Sequence, residues 1–211
     1  VLWTGNGCAT PTIELRDVQK DVLVFKLGTL GDVVRSKNGA IAAFALPTPA
    51  FGRDPTQPPT NVSVAVLDVH TAKMQWTGWS SHPQPPRLVI SPNGKHLYAR
   101  SASADGVDVK FAAIRTDNLS QKPVIGGAQQ LDRATWSQGG KLLYVLSNGA
   151  VYRISTGMSV ATHVDVPGSP ELMDVTDAGD LLVLGEATAP QFYVVDLVAS
   201  DKVVSLHLSA L

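Results

Sequence analysis

Cysteine is nearly absent from this chain: the 211 residues contain one, Cys8. A lone thiol excludes a disulfide within the chain and a Cys-cluster zinc site. With no His or Lys nearby in sequence to lower its pKa, Cys8 reads as a small free thiol beside a turn. A surplus of one charge is missing too: 17 basic and 18 acidic side chains leave a net charge of −1, and neither sign forms a long block. Nucleic acids and anionic membranes are recognised by a concentrated basic field, so neither is an expected partner. No apolar run approaches the ~18 residues that span a bilayer, and no signal-peptide pattern opens the chain. Val1 is not an initiator Met, so a processed or trimmed chain is expected. The histidines (His70, His82, His96, His163, His207) are scattered one per region, without the paired spacing of a zinc set, and no metal or cofactor is expected.

What the chain does have is an ordinary globular balance, 44% apolar and 17% charged, enough for a substantial core at this length. It also repeats. Val33-Val34-Arg35-Ser36-Lys37-Asn38-Gly39, Leu88-Val89-Ile90-Ser91-Pro92-Asn93-Gly94, Ala134-Thr135-Trp136-Ser137-Gln138-Gly139-Gly140 and Met173-Asp174-Val175-Thr176-Asp177-Ala178-Gly179 each place Ser or Thr three residues before a Gly. An apolar strand follows each glycine: Ile41 to Leu46, His96 to Arg100, Leu142 to Leu146 and Leu181 to Leu184. This is hairpin chemistry, in which Gly supplies a positive φ and the hydroxyl caps the turn. The glycines recur at intervals of 55, 46 and 39 residues, the length of a four-stranded β-propeller blade with an insertion in the longest copy. A third strand follows in every unit (Val62 to Leu67, Val109 to Ile114, Ala150 to Ile154, Phe192 to Leu197), then a polar turn and a fourth strand. The class is therefore all-β; a sandwich of unrelated hairpins shares the same short-strand rhythm and stays open at this point.

The N-terminus aligns with the C-terminus. Val1-Leu2-Trp3, Thr12 to Asp17 and Asp21 to Gly28 correspond in order to Leu181 to Gly185, Gln191 to Asp196 and Lys202 to Ser209. The expected architecture is one propeller domain over 1–211: a blade remnant at 1–28 that lacks its innermost strand, then blades at approximately 29–83, 84–130, 131–169 and 170–211. The missing strand would come from residues beyond Leu211, closing a ring of about five blades, or the chain is a fragment of a larger propeller.

Val89-Ile90-Ser91-Pro92-Asn93-Gly94-Lys95-His96-Leu97-Tyr98 and the segment Ala134 to Val145 resemble the Ser-Pro-Asp-Gly hallmark of WD-repeat-like propellers, including the TolB-like, YVTN-type and lactonase-like groups. The resemblance covers nearly the whole chain and implies the fold; it implies little about the task, since propellers host enzymes and scaffolds alike. No Trp-Asp pair ends a third strand and no Gly-His pair opens a blade. Asp17, Asp68 and Asp196 end third strands in the manner of the wider group, with Ser155 in place of the Asp in one blade.

In a propeller the connections from fourth to first and from second to third strands share one face. Eight and seven residues before the turn glycines, Asp32, Arg87, Asp132, Arg133 and Glu171 are expected near the channel mouth on that face, as a charged rim or a grip for a polar ligand. The same face carries the connection Pro47 to Thr60, with five prolines around Phe51, Arg53 and Asp54. A proline-rich loop loses less entropy on docking, and Phe and Arg are favoured interface anchors, although long surface insertions without a partner are also tolerated. Trp76, Trp79 and His82 read as part of a linker between blades, the tryptophans packing between sheets or stacking on a sugar or peptide. Trp136, within a first strand, reads as core. Asn61-Val62-Ser63 and Asn118-Leu119-Ser120 match the N-glycosylation sequon.

No Gly-x-Ser-x-Gly elbow is present. The expectation is a non-catalytic binding or scaffold module presenting a loop-rich face to a protein or peptide, with a glycan as the other partner class, in an extracytoplasmic or cell-surface setting and within a larger chain or assembly. The competing enzyme reading, by analogy with five-bladed glycosidases and lactonase-like propellers, uses Asp32, Glu171 and Asp174 as carboxylates at the central channel.

Overall fold

The computed structural model describes residues 2–4, 12–17, 22–28, 30–47, 62–81, 85–106, 108–126, 131, 133–137, 140–176, 181–186, 191–196 and 202–207. The chain divides into two compact units, Val1–Lys122 and Pro123–Leu211.

The first unit holds three antiparallel sheets. Sheet I contains β1 (Leu2–Thr4), β2 (Thr12–Asp17) and β3 (Val22–Gly28). Sheet II contains β4 (Leu30–Arg35), β5 (Ile41–Pro47), β6 (Val62–Asp68) and β7 (Lys73–Ser81); sheet III contains β8 (Arg87–Ile90), β9 (His96–Ala102), β10 (Val109–Arg115) and β11 (Gln121–Pro123). The second unit holds sheet IV, with β12 (Arg133–Trp136), β13 (Leu142–Ser147), β14 (Ala150–Ser155) and β15 (Ala161–Val164), and sheet V, with β16 (Leu172–Val175), β17 (Leu181–Gly185), β18 (Gln191–Asp196) and β19 (Lys202–His207). Every sheet is a meander in chain order, and the strands expected from the sequence appear with ends displaced by a residue or two.

The hydroxyl-to-glycine segments are the turns from first to second strand, and they share one hydrogen-bond set. The Ser91 N–H donates to His96 O (2.8 Å), the His96 N–H donates back to Ser91 Oγ (3.0 Å), and the Gly94 N–H donates to Ser91 O (2.8 Å). Ser36 with Ile41 and Ser137 with Leu142 repeat this exchange, and Thr176 repeats it with Leu181. Gly39, Gly94 and Gly140 have φ of 71°, 73° and 66°, a region that side chains disfavour. The third strand is tied to the same turn. The Thr116 N–H donates to Lys95 O (3.0 Å) and its hydroxyl to Gly94 O (2.5 Å), and Thr156 does the same to Lys141 O and Gly140 O.

The two middle strands of sheet II, β5 and β6, have no wet face among their described side chains. Ala42, Phe44, Leu46, Ala65 and Leu67 point one way into one apolar cluster. Their neighbours Ala43, Val64 and Val66 point the other way and join Trp79, Leu88, Ile90, Leu97, Ala99 and Ile114 in a cluster shared with sheet III. Strand residues alternate between faces, so this pattern requires cover on both sides, which a two-layered sandwich does not give its sheets. Sheets approach most closely through their first strands, β4 beside β8 in one unit and β12 beside β16 in the other. Stacked meanders that fan out from adjacent first strands are propeller blades. Between sheets IV and V the core is Tyr144, Leu146, Val151, Met173, Leu182, Leu184, Tyr193 and Val195.

The tryptophans require a correction. Trp76 and Trp79 do not sit in a linker: β7 runs through both. It does so by a bulge, with the register shifting opposite Val64 and Gly78 at φ 72°. The Thr77 hydroxyl replaces the lost ladder bond by donating to Val64 O (2.9 Å). Trp79 is thereby buried between sheets, whereas Trp76 stays 40% exposed. Trp136 is half-buried and not a core residue. None of the described residues belongs to a helix long and apolar enough to cross a membrane.

Candidate functional site

Each sheet has two ends. One carries the hydroxyl-glycine turns and the turns from third to fourth strand; the other carries the second-to-third and fourth-to-first connections. The latter end holds the charged residues singled out from the sequence. Arg87 opens β8 directly across from Arg100 on β9, and its side chain is exposed. Arg133 opens β12 opposite Leu146 and is exposed. Glu171, also exposed, extends the β16–β17 ladder by one bond, its N–H donating to Gly185 O (2.9 Å). Asp32 lies in β4 where the ladder with β5 shifts between Leu30 and Val33; its side chain is outside the described ones. Asp132, Phe51, Arg53, Asp54, Cys8, His82 and Asn61 lie outside the described residues.

Asp174 is exposed on β16, and its Oδ1 accepts from the Val175 N–H (2.8 Å). Glu171 and Asp174 are three positions apart on an extended strand, which directs them to opposite faces. Among the described residues no three His, Cys, Asp or Glu side chains form a group able to hold a metal ion. His70 and His163 are exposed, the latter edge-on to Tyr152. His96 is half-buried on β9, and burial, with Arg115 opposite it, lowers its pKa. Asn118 sits in an exposed turn whose next residue, Leu119, has φ 57°.

Sequence reasoning missed the best-organised polar group at this end of sheet V. Glu186, just past β17, accepts from the buried Tyr193 hydroxyl (2.6 Å) and from the Ser169 N–H (3.3 Å), both on Oε1. The carboxylate raises the Tyr193 phenol above its ordinary pKa, because it stabilises the protonated hydroxyl. Gly168 packs against this pair at φ 82°: a Cβ there would fall 2.1 Å from Glu186 Oε1 and 2.2 Å from Tyr193 Oη. The second-to-third connection of sheet V is thus pinned to the segment that enters its first strand. The β13–β14 turn also meets that segment, since a Cβ on Gly149 would lie 3.3 Å from Ser169 Cβ. The available sequence signal was Pro167-Gly168-Ser169-Pro170, a glycine held between prolines at a blade junction.

No family model and no curated protein matches the chain. Solved structures do. The β-propeller domain of the trilobed protease from Pyrococcus furiosus, described as having an open velcro topology, matches with a TM-score of 0.56 and 13% identity, over 84% of this chain and 57% of that one. TolB from Acinetobacter baumannii matches with a TM-score of 0.52 and 14% identity, over 95% of this chain and 49% of that one. The dihydro-heme d1 dehydrogenase NirN, solved in complex with DHE, matches with a TM-score of 0.61 and 12% identity, over 94% of this chain and 42% of that one. The fold is a β-propeller. The chain spans about half the length of the structures it matches, and its similarity to them extends to architecture alone.

Proposed function

We propose that this chain is a non-catalytic propeller module, part of a larger chain, that presents the end bearing the fourth-to-first and second-to-third connections to a protein or peptide partner. In this reading 1–211 acts as one domain, with a blade remnant at 1–28 and blades at approximately 29–83, 84–130, 131–169 and 170–211. The supporting observation is the placement of charge on the scaffold: Arg87, Arg133 and Glu171 are exposed where β8, β12 and β16 begin, each held by backbone pairing to the second strand of its sheet. Charges fixed by a rigid backbone can select a partner with little ordering cost. Phe51, Arg53 and Asp54 add the apolar and guanidinium anchors on the Pro47 to Thr60 connection.

The test is a displayed random-peptide library and a glycan array screened with the wild-type chain. Hits are then measured against the charge-reversed variant Arg87→Glu, Arg133→Glu, Glu171→Lys. Peptide binding should weaken by roughly tenfold, mainly through slower association. Lys95→Glu with Lys141→Glu, at the opposite end of sheets III and IV, should bind as the wild type does. Peptide hits indifferent to the reversed charges, or glycan hits alone, would overturn the reading. So would turnover of a lactone or glycan substrate that disappears in Asp32→Ala, Glu171→Ala, Asp174→Ala.

A further inference from the structure

Three Asn-Gly pairs lie in described turns: Asn38–Gly39, Asn93–Gly94 and Asn148–Gly149. An Asn followed by Gly is the sequence most prone to ring closure, because a glycine peptide nitrogen reaches the preceding side-chain amide without steric hindrance. We propose that the chain modifies itself at Asn148, and that the fold protects Asn38 and Asn93 from the same reaction.

The two protected pairs belong to the repeated turn. Asn93 Oδ1 accepts from the Ser91 hydroxyl (2.8 Å) and the Lys95 N–H (3.0 Å), and the Gly94 N–H is committed to Ser91 O (2.8 Å). Asn38 is held in the same way, by the Ser36 hydroxyl (2.6 Å) and the Ala40 N–H (3.1 Å), with the Gly39 N–H on Ser36 O (2.9 Å). Both the attacked carbonyl and the attacking nitrogen are engaged, and their bonds must break before the two can meet. Asn148 has neither restraint. It is exposed on the β13–β14 hairpin, and among the described residues its amide makes no such bond and the Gly149 N–H has no backbone acceptor. Its backbone is left-handed at φ 51°, followed by φ 72° at Gly149, the pair of conformations that Asn-Gly favours in a hairpin turn. This two-residue primed turn between Ser147 and Ala150 closes the hairpin.

The step balances without an oxidant or a cofactor. The Gly149 nitrogen, losing its proton to solvent base, attacks Cγ of Asn148. The N–Cγ bond forms, the Cγ–Nδ2 bond breaks, and ammonia leaves. Water then opens the five-membered imide at either carbonyl, giving aspartate or isoaspartate at position 148. Either product puts a new carboxylate into the turn whose Gly149 faces Ser169, on the end of sheets IV and V that carries Glu171 and Glu186. Isoaspartate also lengthens the backbone path by a methylene group, so the two-residue turn no longer fits the Ser147–Ala150 register.

The experiment incubates the folded chain at mildly alkaline pH and follows the three turns by peptide mapping, reading the mass gain of amide-to-acid exchange and the isoaspartate content. The same chain unfolded in urea is the reference. In the folded chain Asn148 should convert first, with Asn38 and Asn93 about tenfold slower or more, since each must break hydrogen bonds to react; in urea the three rates should converge. Ser91→Ala, which removes the hydroxyl clamp on Asn93, should raise the Asn93 rate in the folded chain. Equal rates in the folded chain, or a lead by Asn38 or Asn93, would sink the proposal. So would an unchanged Asn148 under conditions where the unfolded chain converts at all three positions.

Discussion

Sheet III contains the same turn twice, at opposite ends. At one end Ser91, Asn93 and Gly94 close β8 onto β9. At the other, Ser103, Asp105 and Gly106 close β9 onto β10: the Asp108 N–H donates to Ser103 Oγ (2.9 Å), the Ser103 N–H to Asp108 O (2.8 Å) and the Gly106 N–H to Ser103 O (2.9 Å). Locally the two match, down to a glycine φ of 73° in each. Their surroundings differ. Ser91 is fully buried, Pro92 O accepts the Lys37 N–H from the neighbouring turn of sheet II (3.0 Å), and a Cβ on Gly94 would come within 3.0 Å of Ile41 and 3.1 Å of Ser36. A Cβ on Gly106 would meet nothing within 4 Å. One turn joins two blades and the other only reverses the chain. Identical backbone chemistry can therefore carry very different shares of stability, depending on what packs against it.

The largest expected effect comes from placing a methyl group at each glycine. Gly94→Ala combines a disfavoured positive φ with overpacking and should cost about 3 kcal/mol in urea unfolding. Gly106→Ala meets only the backbone cost, about 1 kcal/mol. Equal losses would show that Gly94 is not clamped between the sheets.

Removing the hydroxyls should give a smaller contrast. Ser91→Ala leaves the His96 N–H without its acceptor at a part-buried site, at roughly 2 kcal/mol, whereas at the exposed Ser103 turn water replaces the lost partner and the cost is about 0.5 kcal/mol. Hydrogen exchange at His96 and Asp108 reads the two sites separately: His96 should lose most of its protection relative to wild type, Asp108 little.

The smallest effect is visible only in alkali. The Tyr193 phenol, its pKa raised by Glu186, keeps its proton in the folded chain when the unfolded chain has begun to release it. The native state then binds more protons, so this contribution is complete below the ordinary phenol pKa of about 10 and is lost as pH rises through the folded value. Urea midpoints followed upward from neutral pH should fall in the wild type and fall less steeply in Tyr193→Phe and Glu186→Gln. Parallel curves for all three chains would mean that the pair does not hold sheet V to the segment before it.

Much of the scaffold was legible because it is local. Ser36, Ser91, Ser137 and Thr176 announce their turns by a hydroxyl at a fixed distance from a glycine, and the apolar runs after them read as strands. Asp68, at the end of β6, likewise signals a capped turn: its Oδ1 accepts from the His70 and Thr71 N–H groups (2.9 and 3.1 Å), and these bonds lower its pKa. The candidate site was legible only in part. The starts of the first strands could be counted back from the glycines, which located Arg87, Arg133 and Glu171. Glu186, Tyr193 and Gly168 could not be found that way, since a half-buried carboxylate and a buried phenol look unremarkable until two connections of one blade are brought together.

The amino-acid order alone determined the period, the strand sequence and the turn chemistry, because hydrogen bonds between residues a few positions apart depend on little else. Tertiary structure decided which copies of that chemistry matter. The bulge at Gly78 buries Trp79 and leaves Trp76 in water; Thr116 reaches back across 22 positions to the Gly94 carbonyl; and Gly94, unlike Gly39 or Gly106, has no room for a side chain. Each of these depends on distant segments meeting, and a one-dimensional pattern carries no record of which segments will meet.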